Sequence, residues 1–390
     1  MRMSRRTALL GLTTAWTMGR TSLAMADAPT DKRLVIVLLR GALDGMAAVV
    51  PYGDPDLVRL RPGLAPPEPG QPGGLLELGG FFGLNPALEG MHALYRAGQL
   101  LPVHAVAGPY RSRSHFDAQD YLESGAEQRL SSGWLNRAVG AMPGHVANTA
   151  LSVGVTVPLV LRGPAPVGTY AATGYQALQP DLYARIAELS QDDPLLGPVV
   201  QEGLKDRGFS ASTLAGLNQT GDRNAVVNVA TAAGRLLAAA DGPRVAAMEM
   251  GGWDTHAGQM QRLQGPLKQL DAGLAALQQA MGPAWSKTVV LIMTEFGRTV
   301  RVNGTGGTDH GTAGVAFLAG GAVAGGRVAG DWPGLAAGKL FENRDLAPTT
   351  DLRSIAMGLL VNHLGLPVEA MAAVFPGNAG LSLHGGLLRV

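Results

Sequence analysis

The feature that most restricts the fold of this chain is a set of short runs that are apolar at almost every position. RLVIVLL at 33–39 is the first of them, and the dipeptide Asp44-Gly45 follows shortly after it. The later runs are RVAAMEM at 244–250, TVVLIMT at 288–294 and GVAFLAGG at 314–321. Strands without a polar face are typical of parallel sheets that are covered by helices on both sides.

Helical patterns separate these runs. PALEGMHALYRAG at 86–98 predicts an amphipathic helix, a long helix is predicted from about 257 to 281, and TDLRSIAMGLLVNHLG at 350–365 predicts a terminal one. Strand–helix alternation of this kind predicts an α/β fold with a mostly parallel central sheet and helices on both faces. Residues from about 180 to 243 have helical patterns without a strong strand, which predicts a helical insertion in a single domain over 27–390.

The first 26 residues have the pattern of an export signal. Arg5 and Arg6 precede an apolar stretch from Ala8 to Met18, and small residues follow at the expected cleavage site after Ala26. We predict a twin-arginine signal peptide, with the twin-arginine translocase as the partner during export. The mature protein would then be periplasmic or secreted, without a further membrane span. An ordinary secretion signal with a chance arginine pair is the alternative.

Composition excludes several classes of function. The chain has 31 basic and 30 acidic residues, without the clustered basic face that nucleic-acid binding requires. It contains no cysteine, which excludes disulfides, thiolate metal sites and a cysteine nucleophile. A metal site in this protein would therefore use oxygen and imidazole ligands, which suit zinc, manganese, magnesium, calcium or iron.

Potential metal ligands lie where the predicted strands end or begin. In open parallel sheets, ligands bind outside the carboxyl ends of the strands, so these residues should meet at one edge. The predicted metal ligands are Asp44, Asp254, His256, Glu295, Asp309 and His310. All but His310 have a simpler alternative. Asp44-Gly45 is a common turn dipeptide, and Asp309 could be an ordinary turn residue. Asp254 could cap a helix with His256 in its first turn, and Glu295 could pair with Arg298 or Arg301.

The segment GPYRSRSHFDAQDYLESG at 108–125 is the best candidate for a nucleophile or an anion-binding element. Ser114 and His115 lie at the start of a predicted helix, where unpaired backbone N–H groups and the helix dipole favour negative charge. Arg111, Arg113 or Arg298 could hold the oxygens of an anion. The candidate catalytic residues are Ser114, His115 and Arg298, although Ser114 could instead be an ordinary N-cap.

Five motifs together resemble the bacterial domain-of-unknown-function family DUF1501, which is grouped with the alkaline phosphatase and sulfatase superfamily. They are LLRGALDG, SHFDAQDYLESG, GGWDTHAGQ, TEFGRT and GTDHGTAGVAFLAGG. The resemblance implies an alkaline-phosphatase-like sheet with a metal centre at its carboxyl edge. Asp44, Asp254, His256 and His310 would match metal ligands of the superfamily, and Ser114, or Ser112, its nucleophile. Glu295 falls where the superfamily usually has an Asp-His pair, so one imidazole is missing.

The resemblance implies an exported, metal-dependent hydrolase of phosphate or sulfate esters. Its cofactor would be one or two divalent ions, of zinc, manganese, magnesium or calcium, and its substrate a small anionic ester. A second possibility is a non-catalytic extracytoplasmic binding or assembly protein that keeps the fold, with or without a structural metal, because a fold does not determine a function.

Overall fold

The computed structural model describes residues 30–145, 149–171 and 225–389, together with scattered positions between 188 and 214. The predicted signal peptide and most of the predicted helical insertion lie outside the described residues. None of the helices in the described part of the chain is long and apolar enough to cross a membrane.

The strands form one large sheet and one small one. In chain order they are β1 (Arg33–Leu39), β2 (Val49–Val50), β3 (Leu76–Glu77), β4 (Gly83–Leu84), β5 (Leu100–Ala107), β6 (Ala150–Val153), β7 (Val167–Tyr170), β8 (Val245–Met250), β9 (Thr288–Thr294), β10 (Gly314–Ala319) and β11 (Thr350–Asp351).

The α-helices whose bounds lie in the described residues range from single turns to an element of five turns. In chain order they are α1 (Gly45–Ala48), α2 (Leu57–Leu60), α3 (Glu89–Arg96), α4 (His115–Ser124), α5 (Trp134–Ala141), α6 (Ala225–Ala238), α7 (Gln259–Arg262), α8 (Gln264–Met281), α9 (Leu352–Asn362) and α10 (Met371–Val374). Short 3-10 helices lie at Leu159–Leu161, Gly282–Lys287 and Val368–Ala370.

The large sheet has the strand order β11-β5-β10-β9-β1-β8-β6-β7. Neighbouring strands are parallel except at β10, which is antiparallel to both β5 and β9. β1 lies in the middle, and its Ile36 pairs with Ala247 on one side and Leu291 on the other. The prediction of an α/β fold with a mostly parallel sheet is confirmed. β2, β4 and β3 form a small antiparallel sheet.

Helices cover both faces of the large sheet because β1 and its neighbours are apolar on both faces. Successive side chains of a strand point to opposite faces. Val35 and Val37 accordingly pack in one apolar cluster with residues of α3, α6 and α8. Leu34 and Ile36 pack in another cluster, on the opposite face, with residues of α5, α9 and α10. Two buried layers thus hold the sheet, as the absence of polar alternation predicted.

The direction of β10 determines which loops share an edge of the sheet. The carboxyl ends of the parallel strands β1, β5, β8 and β9 lie at one edge. Because β10 is antiparallel to its neighbours, its amino end lies at that same edge. The loops that follow β1, β5, β8 and β9 therefore meet the loop that precedes β10, and these loops carry the predicted site residues.

Candidate metal centre

Three histidines and one aspartate converge at this edge. His115 is the first residue of α4, Asp254 and His256 follow β8, and His310 precedes β10. Nε2 of His310 lies 2.9 Å from Nε2 of His115 and 2.9 Å from Nε2 of His256. Oδ1 of Asp254 lies 3.0 Å from Nε2 of His256, 3.4 Å from Nε2 of His310 and 3.6 Å from Nε2 of His115.

Each imidazole has its other nitrogen, Nδ1, next to a hydrogen-bond acceptor. Nδ1 of His115 lies 2.8 Å from Oε1 of Glu295, and Nδ1 of His256 lies 3.0 Å from Oδ1 of Asp309. Nδ1 of His310 lies 3.0 Å from the backbone carbonyl oxygen of Arg113. A proton on each Nδ1 satisfies these acceptors and leaves the lone pair of each Nε2 directed at the shared centre.

This donor set fits a divalent cation. Three neutral Nε2 lone pairs and a carboxylate oxygen repel one another at about 3 Å unless a positive charge lies between them. Imidazole nitrogen and carboxylate oxygen are ordinary ligands of zinc, and histidine ligands usually donate their second N–H to a carboxylate or carbonyl. Within the described residues, His115, Asp254 and His310 each offer a ligand atom within 4.8 Å of one another. His256 extends this set through its contacts with Asp254 and His310.

Glu295 contacts His115 on the Nδ1 side of the ring. Its carboxylate accepts hydrogen bonds from His115, from Nε2 of Gln119 and from the backbone N–H of Gly41. The hydroxyl of Thr294 donates to its second oxygen. Burial raises the pKa of Glu295, but these hydrogen bonds outweigh it and lower the pKa to about 2. The side chain is therefore a buried carboxylate that orients an imidazole.

Asp309 lies beside Nδ1 of His256, just as Glu295 lies beside Nδ1 of His115. Hydrogen bonds from Nδ2 of Asn303 and from His256 lower the pKa of Asp309. The loop that carries Asp309 lies directly against the backbone of His256, and a Cβ at Gly307 would be 2.3 Å from the carbonyl carbon of His256. Only glycine allows this approach, which explains one of the glycines in the GTGGTDH segment.

Arg298 holds Asp254 and is fully enclosed. Its Nη2 donates to Oδ1 of Asp254 and to the carbonyl oxygen of Gly41, while Nε donates to the carbonyl oxygen of Ala42. Nη1 donates to the carbonyl oxygen of Thr308. Burial raises the pKa of Asp254, but the hydrogen bond and the charge of Arg298 outweigh it, so the pKa is lowered. The side chain of Arg298 is 0% exposed, and its donors bind groups of the protein itself.

The two imidazoles of His115 and His310 have pKa values shifted in opposite directions. The hydrogen bond to Glu295 raises the pKa of His115, against the effect of burial. Burial lowers the pKa of His310, and the neighbouring charge of His115 lowers it further. Two rings whose Nε2 atoms lie 2.9 Å apart cannot both carry a second proton without strong repulsion, so a proton and a metal ion compete for this centre.

Asp44 lies apart from the converging atoms. It is completely buried, and its Oδ2 accepts from Nη1 of Arg61 at 2.7 Å and from Nε2 of Gln259 at 2.6 Å. The hydroxyl of Thr308 lies 3.5 Å from the same oxygen, and Oδ1 caps α1 through the N–H of Met46. Asp44 thus caps α1 and forms a buried ion pair with Arg61.

Ser114 and its neighbouring arginines begin α4. Ser114 has an extended backbone at the N-cap position, and its hydroxyl makes no capping hydrogen bond. Arg113 has a left-handed backbone with φ of 60°, and its side chain binds Asp345 and Glu342. Arg111 donates to the carbonyl oxygens of Gly108 and Tyr110. The hydroxyl of Ser114 therefore makes no capping bond beside His115, while Arg113 pairs with two carboxylates and the exposed Arg111 uses only Nη1 on nearby carbonyl oxygens.

Several residues that complete the site were not found from the sequence. They are Arg61, Gln119, Gln259, Asn303 and Asp345. Arg61, Asn303 and Asp345 belong to none of the five motifs, and most of these contacts join segments that are distant along the chain. Gln119 and Gln259 had a detectable signal, because they lie in the SHFDAQDYLESG and GGWDTHAGQ motifs.

The chain belongs to the family described as Protein of unknown function (DUF1501). The model of this family matches residues 99–375, which is more than half of the 390 residues. The family resemblance that the motifs indicated is confirmed. No curated protein matches the sequence.

Solved structures are similar to this chain at low sequence identity. Ps i-CgsB in complex with k-i-k-neocarrahexaose is 10% identical, with a TM-score of 0.40 over 88% of this chain and 74% of that chain. The C-terminal periplasmic domain of EcEptC from Escherichia coli, in complex with Zn, is 10% identical, with a TM-score of 0.34 over 77% and 76%. A protein in the alkaline phosphatase superfamily from Vibrio parahaemolyticus is 12% identical, with a TM-score of 0.33 over 84% and 71%. Because these TM-scores are all below 0.5, these similarities carry no argument, and the metal centre proposed below rests on the geometry of the site.

Proposed function

We propose that this protein is an exported hydrolase of phosphate or sulfate esters that depends on one divalent metal ion. His115, Asp254, His256 and His310 would hold the ion. One observation carries the proposal: three Nε2 atoms and a carboxylate oxygen converge, while every Nδ1 faces an acceptor outside the cluster. Export rests on the twin-arginine pattern of the first 26 residues.

A bound divalent ion supplies Lewis acidity at an ester oxygen and stabilises developing negative charge. The residues of the chain orient the metal ligands, keep the aspartate ligand ionised and provide the nucleophile. Glu295, Asp309 and the carbonyl of Arg113 keep the three imidazoles in one orientation and one tautomer. Arg298 keeps Asp254 ionised. The hydroxyl of Ser114, next to His115 and free of a capping bond, is the proposed nucleophile, and unpaired N–H groups at the start of α4 would face an anion.

A non-catalytic binding or assembly role is the second candidate, and a specific observation favours it. Asp44 and Arg298, which would serve a second metal ion and a substrate anion, have their polar atoms engaged by the protein. A single ion could then act only in stabilising the loops at the edge of the sheet.

Metal content and turnover distinguish these functions. We would measure metal by elemental mass spectrometry in the exported protein and in His115→Ala, His256→Ala, His310→Ala and Asp254→Asn, with His92→Ala in α3 as the control. About one equivalent in wild type and the control, with loss in the four folded variants, is expected. Ester hydrolysis that a chelator abolishes while circular dichroism stays unchanged supports the enzyme. Metal binding without hydrolysis of any ester supports the binding role, and absence of metal from wild type rules out the metal-dependent hydrolase and leaves a binding role without metal.

A further inference from the structure

The two loops that carry Asp254, His256 and His310 also carry a buried threonine each. Thr255 lies between Asp254 and His256, and Thr308 lies two residues before His310. Both threonines are buried, whereas the side chains of Asp254 and His256 are 46% and 43% exposed. The backbone N–H of Thr308 donates to the carbonyl oxygen of Thr255 at 3.3 Å. The two loops therefore meet at these threonines, which lie deeper in the protein than the ligands.

The side chain of Gln259, the first residue of α7, joins the two threonines. Its Oε1 accepts from the hydroxyl of Thr255 at 2.9 Å and from the hydroxyl of Thr308 at 2.6 Å. Its Nε2 donates to Oδ2 of Asp44 at 2.6 Å. Because the carboxylate of Asp44, paired with Arg61, accepts hydrogen bonds, the amide nitrogen has to face it. The amide oxygen then remains for the two hydroxyls.

Burial and anchoring keep the amide of Gln259 in one orientation. Gln259 is 1% exposed, and both Asp44 and Arg61 are buried as well. Arg61 donates to Asp44 and also to the carbonyl oxygens of Thr299 and Val300, which ties Asp44 to a further segment. A hydrogen bond is stronger in such a buried site than in water, and a broken one leaves an unsatisfied polar group behind. Rotation of the amide is therefore unfavourable.

We infer that Gln259 is a positioning residue of the metal centre, which fixes the loop of Asp254 and His256 relative to the loop of His310. The inference rests on the metal centre of the proposed function and not on ester hydrolysis. Ligands from different loops match the geometry of a metal ion only while the loops keep one spacing, and groups behind the ligands maintain it. Gln259 acts through the hydroxyls of Thr255 and Thr308 and not through a ligand side chain.

Metal binding tests the inference without turnover. Gln259→Met keeps the length of the side chain and removes its hydrogen bonds. We would measure zinc affinity by competition with a chromophoric chelator, and coordination geometry by the visible absorption of bound cobalt(II). We expect zinc to bind about tenfold more weakly to the variant, as at other groups that support metal ligands, and the cobalt spectrum at saturation to change. Wild-type zinc affinity and an unchanged cobalt spectrum in folded Gln259→Met overturn the inference and leave the proposed function intact.

A pair of variants at Thr308 keeps the test valid if Gln259→Met does not fold. Thr308→Val has nearly the shape of threonine without the hydroxyl, and Thr308→Ser keeps the hydroxyl. We expect Thr308→Val to bind zinc more weakly than wild type and Thr308→Ser to retain most of the affinity. Equal zinc affinities of the two variants would overturn the inference.

Asn136→Leu, in α5, is the control for loss of a buried amide. Asn136 is also buried, and its Nδ2 donates to the carbonyl oxygens of Leu161 and Ala165. This variant should lose stability in urea unfolding and keep the zinc affinity and the cobalt spectrum of wild type. Absence of both ions from wild type would instead remove the metal centre itself, and with it the metal-dependent function and the role of Gln259.

Discussion

Glu295 accepts a hydrogen bond from Nδ1 of His115 at 2.8 Å, and this contact directs Nε2 of the same ring toward His310. The two residues are 180 positions apart in the chain, one at the end of β9 and the other at the start of α4. From its place in the sequence, Glu295 was predicted to be a metal ligand. In the structure it orients His115, which is a candidate ligand.

Replacing Glu295 by glutamine should therefore weaken metal binding without removing it. The glutamine oxygen can still accept from Nδ1, but the negative charge that increases the basicity of the ring is lost. We expect zinc affinity to fall by about 10- to 100-fold, as for other residues that support a metal ligand. Competition with a chromophoric chelator measures the affinity, and Glu369→Gln, on an exposed 3-10 turn, is the control. Unchanged affinity in a folded Glu295→Gln would show that the contact has no role in metal binding.

Asp44→Asn should have the opposite profile, with normal metal content and a large loss of stability. The substitution leaves the charge of Arg61 unpaired in a site where both side chains are at most 2% exposed. Breaking a buried ion pair costs about 3–5 kcal/mol of the free energy of unfolding. Urea unfolding measures the loss, and elemental mass spectrometry measures the metal in the folded fraction. Loss of metal from the folded variant would mean that Asp44 is a ligand after all.

Arg113 offers a test of how backbone conformation contributes to the centre. Its φ of 60° places its carbonyl oxygen 3.0 Å from Nδ1 of His310. Arg113→Ala and Arg113→Gly both lose the ion pairs with Asp345 and Glu342, but glycine adopts this conformation about 1 kcal/mol more easily. We expect Arg113→Gly to bind zinc about fivefold more tightly than Arg113→Ala. The same pair at Arg59, in α2, should leave zinc affinity unchanged, and equal affinities of the two Arg113 variants would contradict the prediction.

The sheet and the convergence of its loops could be predicted from the sequence, because runs such as RLVIVLL are apolar at every position and this pattern indicates a strand buried on both faces. The antiparallel direction of β10 could not, since GVAFLAGG is equally apolar whichever way it runs. The sequence also did not show which site residues bind the metal and which support a ligand. Asp44, Glu295 and Asp309 are carboxylates near strand ends, and only their partners Arg61, His115 and His256 distinguish an ion pair or an orienting contact from a ligand. These partners come together only when distant segments pack in the folded chain, and the local sequence around each residue does not indicate them.

Acid should destabilise the protein through a histidine remote from the metal centre. His104, in β5, is fully buried between Phe82 and Trp332. Nε2 of His104 donates to the carbonyl oxygen of Val49, while Nδ1 accepts from the backbone N–H of Ala105. A second proton, on Nδ1, would point at the backbone N–H of Ala105 and break this hydrogen bond. Burial lowers the pKa of His104 to about 4 from its ordinary 6.5, against the effect of the bond to Val49.

The sign of the effect follows from proton binding. Between about pH 6.5 and 4 the unfolded chain binds a proton at this position and the folded chain does not, so the free energy of unfolding falls as the pH falls. Full stability is present above 6.5, and the loss at pH 4 is about 3 kcal/mol for this one group. The pKa of His363 is likewise lowered to about 4, mainly by burial, so wild type has two such groups. Urea unfolding across this range should give a shallower pH dependence for His104→Gln than for wild type, with the part due to His363 remaining. An equal slope in both proteins would show that His104 is protonated in the folded state.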